Sequence, residues 1–325
     1  MTSEFDLIRR YFTRATPGAL LGVGDDAALL QAAPGMVLAA AADMLVAGRH
    51  FSPDDGPGTI GFKSLAVNLS DLAAMGATPR WAMLALALPE ADASWLRGFA
   101  GGFFGLAQKF GVELVGGDTT RGPLTVCVQV MGEVPAGQAI RRSGAQPGDE
   151  IWVSGALGDA ALALAHLQRR LTLDFHEAAA CLPFLHVPMP RVALGQKLRG
   201  VASSAIDISD GFLGDLGHLL TQSQVAAEIA FAALPVSDVV RRYLAQPVAR
   251  ECVLSGGDDY ELLFTAPAAR HAEIAALEEE LALRLTVVGR IQTGEGWVLR
   301  APDGTPMSVT STGYDHFRAE TPLRG

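Results

Sequence analysis

The chain has 325 residues and a mass of 34.1 kDa, which is long for one hydrophobic core and favours two domains. A net charge of −10 excludes a general nucleic-acid binder, because such proteins need a basic face. The mean hydropathy is +0.26, but the longest apolar stretches, 36–42 and 81–88, are too short to span a bilayer. The N-terminal segment has no continuous apolar run and does not resemble a secretory signal. Three widely spaced cysteines give neither a disulfide framework nor zinc-ligand spacing, so we expect a cytoplasmic protein without nucleic-acid or membrane partners.

The first half of the chain predicts strands that alternate with helices. Apolar runs between Gly and Pro breaks predict strands at 36–46 (ending in Asp43), 83–88, 112–115 and 124–134, and helices at 60–76 and 93–110. Within the first helix, Asn68 and Asp71 are about one turn apart and share a polar face.

A turn-rich segment at 141–149 separates the two halves of the chain. After it, the pattern predicts strands at 150–154, 205–208, 260–265 and on to about 310, with helices near 158–170, 190–200, from the 209–211 loop to 220, and 267–282. Strands that alternate with helices indicate an α/β or α+β protein of two domains.

Aspartates end several of these apolar runs, inside loops rich in glycine and serine. Aspartate is disfavoured in strands and is seldom buried without a partner, so a solvated loop is its usual place. Carboxylate oxygens are also the ligands that hard divalent cations prefer, and such cations often connect a protein to a polyphosphate. The loops of this kind are Gly24-Asp25-Asp26, Leu69-Ser70-Asp71, Gly116-Gly117-Asp118, Ile208-Ser209-Asp210 and Gly257-Asp258-Asp259.

Each of these aspartates also has an ordinary structural interpretation. Asp71 fits a solvated helix position, Asp210 fits an N-cap, and Asp118 and Asp258 fit turns. The structural interpretation is weaker for the whole set, because converging carboxylates without cations would repel one another and raise their own pKa values. The sequence has no complete phosphate-binding loop or dinucleotide fingerprint, and no nucleophile–base pair stands out.

Three other residues each keep two interpretations open. His50 is structural or catalytic, Arg142 clamps a phosphate or faces solvent, and Tyr314 stacks on a planar ligand or packs in a core. The acidic character of the loops does not exclude an anionic ligand, since bound cations reverse the local sign of charge.

Six longer blocks of the sequence carry a resemblance to a known family. They are GVGDDAALL (22–30), DMLVAGRHF (43–51), KSLAVNLSDLAAMGA (63–77), GGDTTR (116–121), IDISDG (206–211) and SGGDDYEL (255–262). In this order they resemble thiamine-monophosphate kinases, over about residue 4 to residue 317. The resemblance implies the two-domain aminoimidazole ribonucleotide synthetase-like fold. An N-terminal domain over 1–140, with a mixed sheet and helices, would bind ATP and metal and form the dimer, and a C-terminal α/β domain over 141–325 would complete the active site.

The resemblance also implies a reaction and its site. Members of the family transfer the γ-phosphoryl group of ATP to thiamine monophosphate, with several Mg²⁺ ions, and commonly form homodimers. The implied metal ligands are Asp26, Asp43, Asp71, Asp118, Asp207 and Asp210. The implied ATP contacts are Gly117, Asp118, Arg142 and Ser209, and the implied thiamine monophosphate contacts are His50, Asp258 and Tyr314. Ala41 and Ala42 depart from the family, which usually has Ser or Thr just before the aspartate at position 43, so one metal site lacks a side-chain oxygen.

The chemistry of such a reaction agrees with the absence of a catalytic base. A phosphate acceptor is already anionic, so the main obstacle is its repulsion from the triphosphate, which cations reduce. We therefore expect direct in-line transfer without a phosphoenzyme. The alternatives are a superfamily enzyme with another acceptor, and a non-catalytic metal–nucleotide sensor. Alanine substitution at Asp210 separates an enzyme from a sensor, because a sensor has no turnover to lose.

Overall fold

The computed structural model describes residues 4–309 and 312–314, which form two sheets with helices around them. The strands are β1 Met36–Val46, β2 Thr78–Leu88, β3 Glu113–Arg121, β4 Thr125–Pro135, β5 Glu150–Ser154, β6 Ser204–Asp207, β7 Ala226–Ala230, β8 Leu262–Ala266, β9 Leu285–Gln292 and β10 Gly296–Arg300. The α-helices are α1 Glu4–Leu7, α2 Pro57–Ala74, α3 Ala93–Phe110, α4 Asp159–Leu167, α5 Phe175–His186, α6 Val192–Lys197, α7 Phe212–Ser223, α8 Asp238–Tyr243, α9 Pro247–Ser255 and α10 His271–Leu281. A π-helical turn spans Ile8–Phe12, and 3₁₀ turns span Phe231–Ala233 and Ala268–Arg270. This mixed arrangement confirms the α/β class.

The first sheet has the strand order β1-β4-β2-β3, so β1 and β3 are its two edges. β4 runs antiparallel to β1 and β2, whereas β2 and β3 are parallel. Helix α2 packs on β1 and β4, and α3 packs on α2. The two helices approach closely at Gly102, where a Cβ atom would lie 1.9 Å from the carbonyl oxygen of Gly58. Along β1, Met36, Leu38 and Met44 remain exposed.

The second sheet has the order β10-β7-β9-β5-β8-β6 and is antiparallel except for the β7–β10 pair. It starts at β5, after the 136–149 connection that follows β4. Helices α4 and α5 pack on each other, and α7 lies against β6 and β10.

An apolar core connects the two halves of the molecule. Leu69 of α2 and Phe99 of α3 belong to the same buried cluster as Trp152 of β5 and Phe264 of β8. A polar contact adds to this junction, because the Arg199 guanidinium donates to the Thr78 hydroxyl at 3.0 Å. The elements that carry the predicted site residues are therefore packed together.

Within the described part of the chain, none of the helices has the length and apolar character needed to cross a membrane. The cytoplasmic location stays a prediction from the sequence.

Candidate active site

An acidic cluster lies where the two halves meet. Asp43 belongs to β1, Asp71 to α2 and Asp207 to the end of β6. Burial, followed by the charges of Asp207 and Asp43, raises the pKa of Asp71 to about 8. Burial, with a smaller contribution from the Asp43 charge, raises the pKa of Asp207 to about 6. Asp71 and Asp207 line one cavity, and the charge of Asp43 acts on both of them, so three carboxylates from distant parts of the sequence face one region.

A cavity of about 510 Å³ lies beside this cluster. Asp71, Asp207 and Arg142 are among the residues that line it. The positive charge of Arg142 acts against burial and lowers the pKa values of both aspartates. Ala41, one of the two alanines noted above as a departure from the resemblance, also lines the cavity and contributes only a methyl group. The cavity combines two carboxylates with two arginine side chains, Arg141 and Arg142, which suits an anion bound together with cations.

The loop after β6 brings Asp210 to the same place. Burial, and then the Asp210 charge, raises the pKa of Asp43. The conformation of the loop is fixed by Asp215 of α7, whose Oδ2 accepts the backbone N–H groups of Ser209, Asp210 and Gly211 at 3.0, 3.1 and 3.1 Å. Burial, followed by the charges of nearby aspartates, raises the pKa of Asp215 to about 7.

The predicted acceptor-binding residues His50 and Asp258 meet at a third side chain. Lys63 of α2 donates from Nζ to the carbonyl oxygen of His50 at 3.2 Å, and the same Nζ lies 3.1 Å from Asp258 Oδ1. The His50 ring accepts the Val46 N–H through Nδ1 at 3.0 Å, which fixes the ring on its own segment. His50 and Asp258 therefore occupy one region, held together by an ammonium group.

Backbone hydrogen bonds hold the neighbouring loops together. The Asp258 N–H donates to the Ser209 carbonyl at 2.9 Å, and the Tyr260 N–H donates to the Ile208 carbonyl at 2.8 Å. The Tyr314 N–H donates to the Asp210 carbonyl at 2.9 Å. Three of the predicted contacts, Ser209, Asp258 and Tyr314, thus lie on adjoining segments next to the acidic cluster.

Gly117 and Asp118 lie apart from the acidic cluster of their own chain. They belong to β3, the edge of the first sheet opposite to β1, with β4 and β2 between. Three strand spacings separate Asp43 from Asp118 by about 14 Å. Gly117 has a φ of +147°, and a Cβ atom there would lie 1.8 Å from the Leu84 carbonyl oxygen, so the close pairing with β2 requires glycine.

Asp26 is also apart from the cluster. It is exposed, and its backbone N–H donates to Asp25 Oδ1 at 2.9 Å. The roles of Asp26, Gly117 and Asp118 stay predictions.

Sequence reasoning missed three residues that organise this region: Lys63, Asn68 and Asp215. Asn68 Oδ1 accepts the Asp43 N–H at 2.9 Å, and Asn68 Nδ2 donates to the Ser64 carbonyl at 3.0 Å, so α2 orients β1 directly. A signal was available for Asn68, which shares the polar face of α2 with Asp71. For Lys63 the signal was its position at the start of the KSLAVNLSDLAAMGA block.

The donor chemistry of the cluster fits a hard divalent cation. Carboxylate oxygens such as those of Asp43, Asp71 and Asp207 are the ligands that Mg²⁺ and Mn²⁺ prefer. Burial, and then the charges of neighbouring aspartates, raises the pKa of each of these groups, and a bound cation would offset that negative charge. Among the described residues, no three His, Cys, Asp or Glu side chains converge closely enough to form a metal site.

Comparison with protein families defines the class of the protein. Residues 24–134 match the model described as AIR synthase related protein, N-terminal domain, and residues 146–301 match the corresponding C-terminal domain. The chain is thus a two-domain protein of the AIR synthase-related class.

Individual relatives identify the family within that class. The thiamine-monophosphate kinases of Escherichia coli strain K12 and Salmonella typhimurium strain LT2 are each 45% identical over 318 residues, covering 97% of this chain and 98% of the relative. The crystal structure of thiamine-monophosphate kinase from Stenotrophomonas maltophilia K279a gives a TM-score of 0.83 at 48% identity, over 90% of this chain and 93% of that one. AaThiL complexed with AMPPCP and TMP gives a TM-score of 0.76 at 31% identity, over 88% and 89%. This chain belongs to the thiamine-monophosphate kinase family.

Proposed function

We propose that this chain transfers the γ-phosphoryl group of ATP to thiamine monophosphate, giving thiamine diphosphate and ADP. The observation that carries the proposal is the acidic cluster of Asp43, Asp71 and Asp207 beside Arg142, at a cavity of about 510 Å³. The AaThiL complex supports the choice of substrates, since that relative binds AMPPCP and TMP.

Several Mg²⁺ ions would be held by Asp43, Asp71, Asp207 and Asp210 together with the phosphate oxygens of the bound substrates, because these side chains alone do not converge into a metal site among the described residues. Bound Mg²⁺ reduces the repulsion between the triphosphate and the acceptor phosphate. Arg142 adds a fixed positive charge at the cavity, and Ser209 lies on the adjoining loop, which supports the proposal that both would contact ATP. His50, Asp258 and Tyr314 would orient the acceptor.

The transfer would be direct and in line. An acceptor phosphate is already anionic, so the site needs alignment and charge stabilisation instead of a general base. Cys127, whose pKa is raised by burial and by the Asp43 charge, is a neutral thiol and a poor nucleophile. Radiolabelled phosphate trapped on the protein from γ-labelled ATP, without acceptor, would contradict a direct transfer.

A homodimer through the first sheet would complete the site. The exposed apolar residues of β1, including Met36, Leu38 and Met44, form a surface that a second copy would cover. Contact between the two sheets would place the β3 edge of one copy beside the β1 edge of the other. Asp118 of a second copy would then approach Asp43, which reconciles the predicted metal ligands with the strand order.

Product analysis tests the proposed reaction. Purified protein is incubated with ATP, Mg²⁺ and thiamine monophosphate, with an aminoimidazole ribonucleotide-pathway substrate and free thiamine as parallel acceptors. Thiamine diphosphate formed only from the monophosphate supports the proposal, and Asp210→Ala should reduce its formation by orders of magnitude. Product from another acceptor alone would identify a different superfamily enzyme. ATP binding without any product would indicate a metal–nucleotide sensor.

A further inference from the structure

Lys63 is a buried cation that connects the two segments predicted to hold the acceptor. Its side chain lies in α2 and is only 4% exposed, and lysine is rarely buried to this degree unless it is paired. The partners are the carboxylate of Asp258 at 3.1 Å and the carbonyl of His50 at 3.2 Å. His50 follows β1 of the first sheet, whereas Asp258 precedes β8 of the second. One ammonium group therefore joins the two halves of the molecule at the predicted acceptor site.

The backbone conformation of Asp258 makes its ion pair with Lys63 important for the structure of the loop. Asp258 has a φ of +70°, a conformation that costs a non-glycine residue energy unless its surroundings hold it. Its contacts include the N–H bond to the Ser209 carbonyl at 2.9 Å, the ion pair with Lys63 and a side-chain hydrogen bond with Tyr260. The Asp258 side chain is 27% exposed, so part of the carboxylate remains accessible to a ligand. Lys63, together with Tyr260, thus fixes the direction of a carboxylate that faces both the protein and the site.

We propose that Lys63 is a positioning residue for thiamine monophosphate. It holds the carboxylate of Asp258 and the His50 segment at a fixed separation, so that both are oriented before the acceptor binds. This inference rests on the proposed function. Lys63 acts through these two groups and not by contact with the acceptor, because both of its partners are protein atoms and its side chain is almost fully covered. Preorganised groups bind a ligand more tightly, because fewer side chains and loops lose conformational entropy on binding.

The first test compares Lys63→Met with Lys197→Met. Lys197 forms an ion pair with Glu280 at 2.5 Å but is 49% exposed, so its variant removes an ammonium group far less buried than Lys63. We expect Lys63→Met to raise the KM for thiamine monophosphate about tenfold or more, the usual effect of losing a charge-assisted contact. The KM for ATP should change little, Lys63→Arg should restore part of the loss, and Lys197→Met should match the wild type. An unchanged KM for thiamine monophosphate in folded Lys63→Met would overturn the proposal.

A double-mutant cycle tests whether Lys63 acts through Asp258. If it does, Lys63→Met should raise the KM for thiamine monophosphate by a smaller factor in the Asp258→Asn background than in the wild type, since coupled residues are not additive. The factor that remains reports the His50 segment. Equal factors in both backgrounds would show that Lys63 works independently of Asp258, against the proposal. Folding of each variant is checked by circular dichroism and thermal melting.

A measurement on the wild type remains decisive even if Lys63→Met does not fold. The only lysines of the chain are Lys63, Lys109 and Lys197, so mass spectrometry resolves amine labelling at each one. Labelling of the buried Lys63 amine requires local opening, and an acceptor that binds the arrangement held by Lys63 stabilises the closed form. Thiamine monophosphate alone should therefore slow the labelling of Lys63 and leave Lys109 and Lys197 unchanged. Unaltered labelling of Lys63 at saturating thiamine monophosphate would refute the inference. Absence of thiamine diphosphate formation by the wild type would instead refute the proposed function, so the two failures are distinguishable.

Discussion

Asp215 accepts, through one carboxylate oxygen, the backbone N–H groups of the turn that carries Asp210. The three donors are Ser209, Asp210 and Gly211, at 3.0 to 3.1 Å from Oδ2. Asp215 lies in the first turn of α7 and is 3% exposed, so this contact is sheltered from solvent. A residue that need not touch substrate therefore sets the conformation of a loop with two predicted ligand contacts.

Asp215→Ala should weaken catalysis by displacing this loop. The three N–H groups would lose their acceptor, and misplacement of catalytic groups by about 1 Å can cost about 10²-fold in rate. We expect a loss of that order in kcat/KM for ATP, measured by thiamine diphosphate formation. Asp215→Asn, which retains an acceptor oxygen, should lie between the alanine variant and the wild type. Asp238→Ala is a matched control, because Asp238 is also in the first turn of a helix but has a fully exposed side chain. Wild-type kinetics in Asp215→Ala would show that the loop needs no such support.

A mixture of two inactive variants should recover activity if the site is shared between subunits. Asp71 and Asp118 are placed in different parts of one chain, on α2 and on the edge strand β3. In a hybrid dimer of Asp71→Asn and Asp118→Asn, one of the two shared sites would contain both native residues. Random mixing would then restore about a quarter of wild-type activity, provided that the dimer is symmetric.

The control for this experiment is a mixture of Asp71→Asn with Asp207→Asn. Asp71 and Asp207 lie in the same cluster of one chain, so their hybrid should stay inactive. Recovery in the second mixture would contradict the placement of Asp71 and Asp207 in one chain's site. No recovery in the first mixture, with hybrids verified by mass spectrometry, would indicate that Asp118 does not serve the partner's site. Light scattering measures the oligomeric state beforehand.

The pH dependence of stability should report the charge of the acidic cluster. The pKa of Asp71 is raised from 3.8 to about 8, so the folded chain takes up a proton that the unfolded chain does not hold. The free energy of unfolding should therefore decrease as the pH rises from about 4 to about 8 in the presence of a chelator. Mg²⁺ competes with that proton, so its stabilising effect should increase over the same range.

Denaturant titrations with EDTA and with Mg²⁺ measure both effects. Asp71→Asn has no such proton to bind, so its stability should change less with pH and should respond less to Mg²⁺. A wild-type protein that gains stability between pH 5 and 8 without metal, relative to Asp71→Asn, would contradict the assignment.

The elements that sequence patterns predicted well carry local signals. The 93–110 helix was predicted with its observed bounds, because Asp92 accepts the N–H groups of Ser94 and Trp95 and Gly111 ends the helix at a φ of +67°.

Predictions based on short apolar runs gave some strands that were shorter than the observed ones. The strand expected at 112–115 continues to Arg121, because parallel pairing with β2 holds the Gly116-Gly117-Asp118 segment extended. That pairing is a tertiary contact and leaves little mark on the local sequence.

Some missed features did have local signals. Helix α5 was not predicted, although Asp174 and Glu177 form a capping box at its start. The residues of the candidate site also differ in whether the local sequence indicates their role. The aspartates of the loops were recognisable from composition. The role of Lys63 depends on its contact with Asp258, which is distant in sequence. Roles that depend on packing between the two halves could not be predicted from either half alone.

Arg191 should contribute strongly to stability through its ion pair with Glu261. Its Nε donates to Glu261 Oε2 at 2.6 Å, a second guanidinium nitrogen contacts Oε1, and the Ser154 hydroxyl also donates to Oε2. The Glu261 side chain is 2% exposed, so Arg191→Met would leave a buried carboxylate without its cation. Removing one partner of a buried pair typically costs about 3–5 kcal/mol.

Arg170→Met provides the matched control for Arg191→Met. Arg170 pairs with Glu251 at 3.0 Å, but these side chains are 41% and 48% exposed, and exposed pairs contribute about 0–1 kcal/mol. Urea unfolding at neutral pH compares the two variants with the wild type. Because β8 begins directly after Glu261, loss of the pair should also loosen the Asp258 loop and raise the KM for thiamine monophosphate. Equal, small losses of stability in both variants would mean that this ion pair contributes little to stability and does not fix the loop.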